Sequence, residues 1–166
     1  KILSERLQDA IDKGLQLFRN GLPIRISTDA SGAGLGAVLE QETEPNIWCP
    51  VAFHSFALSP VEARLLNYER ELLAIFSACR KWLPYLIGVH FVVRCDCAVL
   101  RNISTMSLSG RRRRVVSMLL FLRTLFFTWV HVPGKENVPA DAFSCLHEQV
   151  LLDDSELLSG LPGEPS

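Results

Sequence analysis

The chain has almost no net charge: 17 lysines and arginines stand against 18 aspartates and glutamates, a formal −1 over 166 residues. That balance excludes global electrostatic steering toward nucleic acid, so any such binding has to rest on local patches. The cysteines are also too few and too irregularly spaced for a disulfide framework or a zinc site. Cys49, Cys79, Cys95, Cys97 and Cys145 are odd in number, and they read as reduced, intracellular and mostly buried. No signal-peptide pattern opens the sequence, which starts as a charged amphipathic segment. A clean membrane span is missing too. The most apolar run, Val115 to Val132, follows Arg111-Arg112-Arg113-Arg114 as a span follows a basic flank. Arg123 falls near its middle, however, and Ser117, Thr124 and Thr128 interrupt it. It divides into a helical part to Leu125 and a β-rich part from Phe126 to Val132, so no membrane partner is expected. With 48% hydrophobic residues, the chain has the apolar mass for one compact domain with a full core.

What is present is organised around Ile24 to Gly36, IRISTDASGAGLG. Ile24, Ile26 and Thr28 alternate with Arg25, Ser27 and Asp29, which predicts a strand with Asp29 at its C-terminal end. Gly32, Gly34 and Gly36 then let the backbone turn tightly and approach a bulky ligand before a second strand begins at Ala37-Val38-Leu39. Alone, this pattern is equally that of a plain hairpin. Glu40 to Pro50 reads as a polar turn, and Val51 to Leu58 as a third, antiparallel strand.

Upstream, Leu3, Leu7, Ile11, Leu15 and Phe18 keep a helical period that Gly21 and Pro23 close, which predicts a leading helix over 1–18. Downstream, Ser59-Pro60-Val61-Glu62 has the form of a helix start, with Ser59 as cap and Glu62 as capping-box acid. That helix would carry Val61, Leu65, Tyr68, Leu72, Ile75, Cys79 and Trp82 on one stripe. Glu71 lies on it, with Asn67 and Arg64 on about the same face; a lone solvated glutamate is the plainer reading. Pro84 should kink or end the helix. Gly88 then releases the chain into His90 to Asp96, a second strand ending on an aspartate. Two such strands joined through a long helix suggest parallel neighbours whose carboxylates emerge about 4.8 Å apart at the backbone, at the edge where open α/β sheets gather ligands. After Pro133-Gly134-Lys135 a last helix opens at Asn137 to Pro139 with Asp141 in its first turn, where the helix dipole favours an acid whatever its function. From Asp153 to Ser166 the acidic, Gly- and Pro-containing tail reads as a linker or disordered end.

The segments TDASGAGLGAVLEQ, PVAFHSFALSPVE, NYERELLAI, YLIGVHFVVRCD and VPGKENVPADAFS follow one another in order from Ile24 to Leu146. In these the chain resembles the ribonuclease H domain of gypsy-type long-terminal-repeat retrotransposon polyproteins. The resemblance implies an α/β fold with a five-stranded mixed sheet, order 3-2-1-4-5, flanked by helices. It implies a link from the reverse transcriptase polymerase part over 1–23, the ribonuclease H domain over 24–148 and a flexible tail over 149–166. Asp29, Glu71, Asp96 and Asp141 match the four metal-binding, catalytic carboxylates. Two Mg²⁺ ions, with Mn²⁺ as substitute, an RNA–DNA hybrid as substrate and the polymerase domain as partner follow from the same likeness. So does a cytoplasmic location, inside virus-like particles or outside them, with the nucleus open as well. Ser31, Gly32, Asn67 and Arg111 to Arg114 are the expected substrate contacts: Asn67 for the minor groove and its 2′-hydroxyls, the arginines for phosphates.

Cleaving a phosphodiester with two metals needs hard oxygen ligands that hold two ions about 4 Å apart. Four crowded carboxylates repel one another unless ions or protons arrive. Integrase-like relatives of this fold place the glutamate after both aspartates, whereas Glu71 stands between Asp29 and Asp96. The chain departs from the family pattern at Cys95-Asp96-Cys97, where Thr-Asp-His is usual, and at Phe143-Ser144-Cys145, where Leu-Ser-Arg is usual. The loop from Gly134 to Asn137 lacks the histidine of retroviral and cellular ribonucleases H, and His131, on the preceding strand, is expected to be structural. The alternative reading is a catalytically silent, domesticated copy of the fold that binds protein or nucleic acid.

Overall fold

The computed structural model describes residues 15–103 and 105–133. Five strands form one sheet in the order β3-β2-β1-β4-β5: β1 (Ile24–Ala30), β2 (Gly34–Glu44), β3 (Ile47–Ala57), β4 (Phe91–Cys95) and β5 (Phe127–His131). The helices are α1 (Asn67–Lys81), α2 (Leu83–Leu86) and α3 (Arg113–Leu122). β1 pairs antiparallel with β2 and parallel with β4, and β4 pairs parallel with β5. The sheet order and mixed pairing are those expected from the resemblance.

The apolar positions of the strands bury against the helices. Ile24, Ile26, Leu35, Leu39, Phe91 and Val93 meet Leu72, Ile75 and Cys79 of α1 and Val115, Met118 and Leu119 of α3 in one cluster. Phe76 of α1 meets Phe121 of α3 edge-on at 5.2 Å. On β1's other side Arg25 holds Glu40 through two bonds of 2.7 and 2.9 Å and lies over the Trp48 ring. Among the described residues no helix is long and apolar enough to cross a membrane.

Several boundaries differ from expectation. The polar turn over 40–50 is instead mostly sheet: β2 runs to Glu44, β3 starts at Ile47, and Pro45-Asn46 makes the turn. Asn46 takes the left-handed backbone (φ 63°), which asparagine tolerates, and its N–H donates to Glu42 at 2.7 Å. Pro50, with no N–H to give, sits at a register shift between Leu39 and Glu40. None of Gly32, Gly34 or Gly36 has a positive φ. The turn is closed by Ser31, whose Oγ accepts from the N–H groups of Ala33 (3.3 Å) and Gly34 (2.9 Å).

The long helix expected from Ser59 is also broken. Ser59 and Glu62 do bond reciprocally, but they close only a 3-10 turn, Glu62–Arg64. Val61 is 71% exposed, so nothing buried continues the stripe there. Leu66 is extended (ψ 155°) and α1 begins anew at Asn67. Leu66 has no polar side chain, so only the return half of a capping box forms: its N–H donates to buried Glu69 at 3.0 Å. Arg64 is therefore off the α1 face that it was expected to share with Glu71.

α1 ends at Lys81, just before Pro84, as its ring demands, and Gly88 (φ 73°) turns the chain toward β4. α3 stops at Leu122, short of Leu125, where Arg123 turns back to bond the carbonyls of Ile103 and Met106. The helix expected over 1–18 is not seen in residues 15–18, which are irregular, with Phe18 against Tyr85 at 4.4 Å; residues 1–14 lie outside the described residues. So do Asp141, the expected last helix and the tail.

Candidate active site

The β1–β4 ladder pairs Ser27 with Arg94. Two residues further along each parallel strand come Asp29 and Asp96, at the same edge of the sheet. Asp29 is on β1 opposite Gly36 of β2, where no side chain stands between it and the neighbouring strand. Asp96 follows the last residue of β4, with its side chain 45% exposed. Glu71 comes up from the second turn of α1 and is 5% exposed. These three, which sequence alone placed on three separate elements, converge.

Their convergence is visible in the charge balance. Burial, then the charges of Asp29 and Asp96, push the Glu71 carboxyl up to about 8, against a smaller opposing effect from the Ala30 N–H that it accepts. Glu71 Oε2 is buried and has no hydrogen-bond partner. A buried oxygen in that condition costs free energy unless something outside the chain pairs with it. A divalent cation fits that donor chemistry: hard oxygens, mutual repulsion and an orphaned acceptor. Among the described residues no group of three or more Asp, Glu, His or Cys side chains is arranged to hold a metal ion, and Asp141 lies outside those residues.

The expected substrate residues fall into two sets. Ser31 and Gly32 are in the β1–β2 turn beside Asp29, and Asn67 is the exposed first residue of α1, one turn before Glu71. The arginines are mostly engaged elsewhere. Arg111 bonds Ser107 O at 2.6 Å and Tyr68 OH at 3.2 Å. Arg112 faces Glu69 at 3.6 Å, and Arg114 pairs with Glu62. Arg113, exposed at the start of α3, has no side-chain partner among the described residues. The run thus ties α3 to the start of α1, a function that a block of like charges does not reveal in sequence.

The sequence also missed a contact. His131 Nε2 lies 3.2 Å from Asp96 Oδ1. Its signal was the position of His131 at the end of a strand parallel to the one that ends on Asp96, but the pairing register was not legible.

Residues 20–124 match the family described as the RNase H-like domain found in reverse transcriptase. The chain belongs to this family. The RNase H-like domain is 34% identical over 128 residues to the retrovirus-related Pol polyprotein from transposon 412 of Drosophila melanogaster, covering 77% of this chain. It is 30% identical over 132 residues to the transposon Tf2-3 polyprotein of Schizosaccharomyces pombe, covering 78% of this chain. It spans only about 10% of either curated relative. In fold it is similar to LC11-RNase H1 solved with an RNA/DNA hybrid: TM-score 0.59, 18% identity, 77% of this chain and 99% of that one.

Proposed function

We propose that this RNase H-like domain is an endoribonuclease that cleaves the RNA strand of RNA–DNA hybrids during reverse transcription. The observation that carries the reading is buried Glu71, with its unpartnered Oε2, set among the charges of Asp29 and Asp96. An arrangement that raises a carboxyl this far is unfavourable in a merely structural role, and such groups cluster at functional sites. Asp29, Glu71 and Asp96, with Asp141 as the fourth acid outside the described residues, would hold two Mg²⁺ or Mn²⁺ ions. Bound there, the ions would supply activation of the attacking water and stabilisation of the leaving 3′-oxygen.

The chain's own residues do the positioning. β1 and β4 fix the two aspartates at one sheet edge, and α1 carries Glu71 to them from beneath. Asn67, exposed one turn from Glu71, is the residue that would read the 2′-hydroxyls of the RNA strand, and Asn67→Ala should weaken hybrid binding. That LC11-RNase H1 was solved on a hybrid and that the relatives are transposon polyproteins supports this substrate and a polymerase domain as neighbour in a longer chain. Cytoplasmic residence, within virus-like particles or not, is part of the same proposal.

The test is cleavage of a labelled hybrid with Mg²⁺ or Mn²⁺. Wild type should cut the RNA strand, and Asp29→Asn, Glu71→Gln and Asp96→Asn should each abolish cutting with the fold intact. A wild-type protein that binds hybrid but cuts nothing at high concentration is instead a silent binding module.

A further inference from the structure

We propose that His131 is a positioning residue for Asp96, holding one carboxylate oxygen so that the other is aimed for a divalent cation. The inference rests on the nuclease reading above for what Asp96 ligates.

The backbone sets the two residues in place. His131 pairs with Cys95 in the parallel β4–β5 ladder, and the next N–H, of Val132, donates to Cys95 O at 3.0 Å. The imidazole is therefore fixed level with the last residue of β4, and Asp96 is the next residue. Nε2 lies 3.2 Å from Asp96 Oδ1. A carboxylate only accepts, so Nε2 carries the proton and donates.

The ring is also braced from behind. It stacks on Trp129 at 5.9 Å with 16° between the planes. Trp129 Nε1–H donates to the buried Cys95 sulfur at 3.2 Å, and the Arg101 guanidinium lies 5.9 Å from the indole. A histidine that served only to finish an edge strand would need none of this. Asp96, by contrast, sits beyond its strand with a side chain 45% exposed, free to sample rotamers unless something holds it. Holding Oδ1 removes that freedom before an ion arrives and leaves Oδ2 to ligate. Carboxylates that bind metals are commonly held in this way, and loss of such a partner costs about 10- to 100-fold in metal affinity or activity.

The test is calorimetric titration of the whole chain with Mn²⁺, alongside metal-free melting and hybrid cleavage, for wild type, His131→Ala and His131→Gln. Gln carries an N–H at a reach close to that of Nε2. The expected result is a Kd for Mn²⁺ raised at least about 10-fold in His131→Ala, largely recovered in His131→Gln, with both melting temperatures near wild type. In cleavage, kcat at limiting Mn²⁺ should fall for His131→Ala and recover at high Mn²⁺, with KM for hybrid unchanged. Equal Kd values for wild type and His131→Ala overturn the proposal. So do two equally weak variants with lowered melting temperatures, which would make His131 structural. Mn²⁺ binding without cleavage in wild type refutes the nuclease reading alone, and the Kd comparison still decides His131. Absence of Mn²⁺ binding in wild type overturns both.

Discussion

The backbone N–H of Ala30 donates to the carboxyl of Glu71, joining the end of β1 to the second turn of α1. This contact and the charge of Arg70 are outweighed by burial and by the charges of Asp29 and Asp96, so the Glu71 carboxyl is pushed from 4.5 up to about 8.

A pH dependence of stability follows. Between the two values the folded protein keeps a proton on Glu71 that the unfolded chain has lost, so stability falls as pH rises through that window. The full effect is on the order of a few kcal/mol. In EDTA the melting temperature of wild type should drop more steeply than that of Glu71→Gln from about pH 5 to pH 8, and the two should converge below that range. His54, lowered by burial and by Lys81, acts in the opposite sense on the acid side. Its effect is common to both proteins and cancels in their difference. Mg²⁺ should restore the stability of wild type at pH 8 and leave the variant unmoved. Parallel curves in EDTA would show that neither burial nor the two aspartates raises the Glu71 carboxyl in the folded chain.

The start of α1 depends on Glu69. Its carboxylate is nearly inaccessible and takes the Leu66 N–H at 3.0 Å. Glu69→Ala leaves that donor unmatched and should cost about 1–2 kcal/mol in urea unfolding. Glu69→Gln keeps an acceptor and should lose less than half as much. Arg112, 66% exposed across from it at 3.6 Å, adds little in solvent. Equal losses for the two variants would assign the effect to charge and not to capping.

The arginine run should separate in a salt titration of hybrid binding. Arg113, exposed and with no side-chain partner among the described residues, is the candidate phosphate contact under the proposed function. Arg113→Gln should flatten the dependence of log K on log salt by about 0.9, with the melting temperature unchanged. Arg111→Gln and Arg114→Gln give up bonds to Tyr68 and Glu62 and should lower the melting temperature instead. An unchanged slope for Arg113→Gln would take the run off the substrate path altogether.

Much of this was legible before any coordinates. The alternation around Ile26 and the apolar run at Val92 predicted two strands with acids at their ends, which lie within one residue of the observed ends at Ala30 and Cys95, and the long helix between them suggested the parallel pairing that brings Asp29 beside Asp96. What was not legible depended on partners distant in sequence. The end of the polar 40–50 stretch could not be read as hairpin because its pairing is what makes it strand. The break at Leu66 depends on a buried Glu69 that looks like any surface glutamate. The Arg111, Arg112 and Arg114 contacts depend on how α3 docks, and His131 depends on register between two short strands. Asp141, the remaining acid of the predicted set, falls outside the described residues.

The position of β1 in the sheet has a consequence for the order of assembly. On one side it is joined to β2 and β3 by two tight turns; on the other it meets β4 only after α1 and α2 have intervened. Closing the shorter loops costs less chain entropy, so the hairpin half should form first and the seam between β1 and β4 late. Asp29 belongs to the early half and Asp96 to the late one. A nascent chain would therefore carry Asp29 in place, well separated from Asp96, until nearly the last step of folding. Under the nuclease reading proposed above, catalytic competence would then report completion of the whole sheet, and a partly folded chain would leave the RNA around it uncut.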